Sequence, residues 1–140
     1  MISRTSTFRH HHAEVRTLVT RIEALLDPAA ITRDSTPVAT IVRELFGKFG
    51  VHLSIEDDAL YPRMAIHADP QVRQTAAQFQ REMGDLRGRF DAYRARWPGP
   101  RAIAHDPAAF VAETRNILAA LTRRISREDA ELYDLYDRAS

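Results

Sequence analysis

The sequence predicts an all-α fold, an antiparallel up-down-up-down four-helix bundle, and three observations carry that reading. Apolar residues recur at alternating spacings of three and four through four long stretches, the pattern of a helix that buries one face. Those stretches are parted by Pro-, Asp- and Gly-rich breaks at Asp27-Pro28 through Pro37, at Ile66 to Pro70, and at Trp97-Pro98-Gly99-Pro100 through Pro107, where helices stop and turn. No stretch sustains the two-residue alternation of a half-buried strand. No internal repeat or low-complexity tract competes with the reading.

The first helix carries its stripe on Phe8, His12, Val15, Val19, Ile22 and Leu26. The second runs Val38, Val42, Leu45, Phe49, His52, Glu56, Leu60, so one histidine and one glutamate occupy positions meant for the core. The third is almost wholly apolar, with Val72, Ala76, Phe79, Met83, Leu86, Phe90, Tyr93 and Trp97. The fourth reads Phe110, Thr114, Ile117, Leu121, Arg124, Glu128, Leu132, Leu135, and it carries an arginine and a glutamate inside. Short connections make consecutive helices antiparallel neighbours. Heights can then be counted from each turn at about 1.5 Å per residue. His12 precedes Leu26 by fourteen residues and His52 follows Val38 by fourteen, while Met83 and Arg124 fall within about a turn of that depth. The polar intrusions therefore converge on one layer near mid-bundle.

Composition bounds what that layer can be. With 140 residues, 44% hydrophobic and 28% charged, the chain is long enough for one self-sufficient core, and residues 1–140 read as a single domain. It has no cysteine, so a metal would have to be held by histidine and carboxylate, and neither a disulfide framework nor a thiol nucleophile is available. A formal charge of +1 argues against general affinity for nucleic acid. The arginines between Arg81 and Arg101 fall on several helix faces and read as solvated surface. Neither an apolar signal core nor a run of about 18 apolar residues is present, so a cytoplasmic protein without a membrane partner is expected.

A buried charge costs several kcal/mol unless it is paired or bound to a metal, so Glu56, Arg124 and Glu128 on core stripes need partners. His52 and Glu56 stand one helical turn apart and point at one centre, an arrangement used for metal sites inside bundles. Two histidines and two carboxylates make a four-ligand N/O set. His10 and His11 turn off the stripe, and His67 and His105 stand near prolines; all four are expected at the surface, as are Asp57 and Asp58. No phosphate-binding loop, nucleophile elbow or HExxH sequence occurs.

Four segments carry a resemblance. HLSIEDDALYP, from His52 to Pro62, resembles the second-helix signature of the hemerythrin-like HHE cation-binding family; HAEVRTL at His12 resembles its first-helix motif. EMGDL at Glu82 resembles the third-helix motif with Met83 where histidine is usual, and RISREDAELY resembles the fourth with Arg124 in place of histidine. Phe79, one turn before Met83, likewise offers no ligand.

The resemblance implies a hemerythrin-like bundle and a non-heme iron site, in a family whose members carry oxygen, sense oxygen or redox state, or protect against stress. The matching metal ligands are His12, His52, Glu56 and Glu128. Losses at Met83 and Arg124 fall mainly on one half of the two-iron layout. Three readings follow: one ion, iron or another divalent metal, in the remaining half; a metal-free network in which Arg124 stands in for the second cation; or two ions completed by other ligands. The first implies a sensing, storage or stress-protective protein whose partners are the metal and dioxygen or another small diatomic. The second implies a regulatory or protein-interaction module, as a homodimer or with another protein. An oxygen-activating enzyme built on His12, His52 and one glutamate stays open, although no second polar constellation for an organic substrate is evident.

Overall fold

A computed structural model describes residues 4–139; residues 1–3 and 140, the ends of the expected 1–140 domain, lie outside the described residues. All regular structure among the described residues is helical. The four long segments are α1 (Ser6–Glu23), α3 (Thr36–Ala59), α5 (Pro70–Arg96) and α7 (Pro107–Arg127). Every residue of the four stripes is buried, from Phe8 to Leu26, Val38 to Leu60, Val72 to Trp97 and Phe110 to Leu135. The arginines from Arg81 to Arg101 are exposed, as are Asp57 and Asp58.

Neighbouring segments run antiparallel, because partner numbers fall along one as they rise along the other. Between α1 and α3, Glu14 pairs with Lys48 and His12 meets His52. Between α5 and α7, Phe79 lies under Arg124 while Tyr93 bonds Thr114 at 2.7 Å. That bond gives the stripe's buried threonine a partner, and burial pushes the Tyr93 phenol up to about 12.

The connections hold more structure than their prolines suggest. Two breaks expected as loops contain short helices, α2 (Pro28–Arg33) and α6 (Pro100–His105), which drop Ile31 and Ile103 into the core. Ser35 Oγ donates to the Pro100 carbonyl at 2.8 Å and ties the two connections together. Three helices start alike: Asp27, Asp69 and Asp106 accept backbone N–H bonds from the first turn, and a proline follows each. The carboxylate satisfies an orphan donor, and proline at the first helical position has no N–H to satisfy.

Both segments that carry acidic residues into the core depart from a straight α-helix. α3 ends at Leu60, where Pro62 interrupts the hydrogen-bond ladder, and a short α4 (Tyr61–Ala65) restarts with Tyr61 buried. α7 passes at Glu128 into one π-helical turn, Glu128–Tyr133, before α8 (Asp134–Ala139). The apolar core is split accordingly. One cluster runs from Val15 and Leu45 to Leu121 and Ile125. The other gathers Phe8, Leu60, Tyr61, Phe79, Leu132 and Tyr133. Between them lies the polar layer of His12, His52, Glu56, Arg124 and Glu128. Among the described residues no helix is long and apolar enough to cross a membrane.

Candidate metal centre

His12 comes from mid-α1, with Phe8 and Val15 buried one turn to either side. Its ring is fixed from behind: Nδ1 lies 2.8 Å from Asp129 Oδ1, and Arg16 holds the other Asp129 oxygen at 2.6 Å. An ionised carboxylate only accepts, so His12 Nδ1 carries the proton and Nε2 presents a bare lone pair. This is the carboxylate–histidine arrangement that orients metal-ligating imidazoles. Burial, ahead of the opposing pull of Asp129, keeps His12 below its ordinary pKa and hence neutral.

His52 approaches from α3, and its Nε2 lies 3.1 Å from His12 Nε2. Two lone pairs cannot face each other at that distance without a proton or cation between them. Its Nδ1 is 3.1 Å from His11 Nδ1, which corrects the surface reading of His11: the residue is half-buried and backs His52. Both histidines line a surface cleft of ≈ 310 Å³ with Gly47, Lys48 and Val51. The other off-stripe histidines follow expectation less closely at one position, for His67 is half-buried and accepts from the Asp69 amide, while His10 and His105 are exposed.

The carboxylates complete the layer. Glu128 Oε1 is 3.1 Å from His12 Nε2, and Glu56 Oε1 is 3.2 Å from His52 Nε2. His12, His52 and Glu128 each present one ligand atom within 4.8 Å of the others; Glu56 stands outside that triad, joined to it through His52. Burial, and then the neighbouring charge of Glu56, lifts the Glu128 carboxyl well above the usual range. Glu56 is pushed up by burial too, but His52 and the Tyr133 hydroxyl outweigh this and hold it below its ordinary value.

Arg124 is buried opposite. Its Nη2 donates to the Tyr61 hydroxyl at 3.1 Å and lies 3.6 Å from Glu128 Oε2; Nη1 lies 3.8 Å from Glu82 Oε2. Its guanidinium sits 4.7 Å from the centre of the Phe79 ring. Of the two buried glutamates, Glu128 is the one that Arg124 reaches.

Whether these residues fit a cation can be judged from what they leave unpaired. Glu56 Oε1, both Glu128 oxygens, and Arg124 Nε and Nη1 are buried without a hydrogen-bond partner. Native interiors keep such groups rare, since each costs a large part of its desolvation energy. Three orphaned carboxylate oxygens beside two facing imidazole nitrogens suit a divalent ion, and the donor set of imidazole nitrogen and carboxylate oxygen suits iron, zinc, copper or nickel.

Besides His11 and Arg16, four participants lay outside the sequence-based set. Asp129 and Tyr133 belong to the fourth-helix segment but fall off a 3.6-residue stripe; the π turn swings them toward the layer. Tyr61 follows the stripe's last position, and Glu82 opens the third-helix motif. The Tyr61-Pro62 and Glu128-Asp129 adjacencies were the available signals.

The family model described as hemerythrin HHE cation binding domain matches residues 3–136. No curated protein and no solved structure matches the chain.

Proposed function

The chain belongs to the hemerythrin HHE cation-binding domain family, and from that premise we propose that it holds one metal ion, iron or another divalent ion, at His12, His52, Glu128 and Glu56. The observation that carries the proposal is the inward convergence of two imidazole Nε2 atoms and orphaned carboxylate oxygens within a fully buried layer. Such a cation, when bound, would supply charge neutralisation and an electron-transfer or small-molecule coordination position. The chain's own residues prepare that position: Asp129 fixes the His12 tautomer, His11 backs His52, and the apolar clusters on either side exclude water. Arg124 stands in for a second cation beside Glu128, and Phe79 and Met83 offer no imidazole from α5. A single buried ion fits a sensing, storage or stress-protective role.

One observation favours the metal-free interaction module instead: Arg124 reaches Glu128 and Tyr61. It leaves three carboxylate oxygens without partners, so the one-ion reading accounts for more of the layer. Metal analysis of protein reconstituted with iron(II) or zinc and then desalted separates the two. About one equivalent is expected, lost in a folded Glu128→Ala variant. No retained metal would favour the interaction module, and two equivalents would remove the role given to Arg124.

A further inference from the structure

Tyr133 touches three members of the layer. Its hydroxyl donates to Glu56 Oε2 at 2.6 Å and lies 3.2 Å from His12 Nε2 and 3.4 Å from His52 Nε2. Its ring stacks on His12 at a centroid distance of 5.2 Å, and the residue is fully buried. The spacing is informative. Donors held at about 2.0–2.1 Å from one ion stand about 2.9 Å apart at a right angle and about 3.4 Å apart at a tetrahedral angle. His12 Nε2, His52 Nε2 and Tyr133 Oη form a triangle with sides of 3.1, 3.2 and 3.4 Å. Glu128 Oε1 adds a further edge of 3.1 Å to His12.

We infer that Tyr133 is itself a metal ligand, binding iron(III) as a phenolate through Oη beside His12 and His52. The inference rests on the one-ion reading above and adds a phenol to its histidines and acids. It also gives the π turn a purpose, because the extra residue in that turn brings Tyr133 onto the face that already carries Glu128. On binding, the phenolic O–H bond breaks while an oxygen lone pair forms the bond to iron. The proton passes to Glu56 Oε2, its present acceptor, and is released to solvent; no electron moves. Tyr61 is the natural control, a second buried tyrosine in the same layer whose hydroxyl is engaged by Arg124 instead.

The full chain, loaded with iron(III) supplied as citrate and desalted, is read by metal content, visible absorption and resonance Raman. The expected result is a visible phenolate-to-iron charge-transfer band whose Raman lines shift when ring-deuterated tyrosine is incorporated. Tyr133→Phe should lose the band while still holding iron, and Tyr61→Phe should keep it. Should Tyr133→Phe fail to fold, the isotope shift and the Tyr61→Phe result still decide. Iron bound without the band, or the band surviving in Tyr133→Phe, would overturn the ligand assignment and leave the one-ion site standing. No iron bound would overturn both.

Discussion

Arg124 holds the position where a histidine of the fourth-helix motif is expected, and its surroundings show what replaced that histidine. Its guanidinium is held by the Tyr61 hydroxyl, by Glu128 and by the Phe79 face. Its fixed charge beside Glu128 would also repel a second cation. Removing it strands Glu128 in a dry layer, where the penalty for breaking a buried pair is about 3–5 kcal/mol. Arg124→Ala is therefore expected to lower unfolding stability by that amount in urea titrations. A loss below about 0.5 kcal/mol would mean that the arginine contributes no more than an exposed one. His12, His52, Glu56, Arg124 and Glu128 were legible in the sequence because each is a polar residue on an apolar stripe. Asp129 was not, since nothing in its spacing says that it turns back toward α1 to hold His12 and Arg16.

At the level of the helix, the periodicity located every buried stripe position but assumed 3.6 residues per turn throughout. The π turn at Glu128–Tyr133 breaks that assumption, so Tyr133 and Tyr136, both buried, lay outside the sequence-derived stripe. Likewise the prolines marked where long helices end but not that α2 and α6 form within the breaks. The aspartate that precedes a proline at each of three helix starts explains those ends better than proline alone. Asp69 accepts the Gln71 amide at 2.8 Å at the start of α5. Asp69→Ala should cost about 1 kcal/mol, the usual value of such a cap, measured by denaturant titration with metal content unchanged. An unchanged midpoint would show that the rest of the first turn suffices to hold α5.

For the whole molecule, the division of the core is the central fact. Two apolar clusters supply the burial that holds the bundle together, and a layer of charged and imidazole groups separates them. That layer costs stability unless a cation or a complete set of hydrogen bonds satisfies it. The counted heights of His12 and His52 placed them at one level, and their nitrogens lie 3.1 Å apart; this much follows from antiparallel helices of matched length. What counting could not supply is direction, meaning which oxygen faces which nitrogen and which tyrosine points inward, because side-chain rotamers and one π turn decide it. The most direct measurement is anomalous diffraction at the absorption edge from crystals loaded with iron or cobalt. One peak per chain is expected, bounded by His12 Nε2, His52 Nε2 and Glu128, with Arg124 still beside Glu128. Two peaks, a peak elsewhere in the chain, or none at this layer would contradict it.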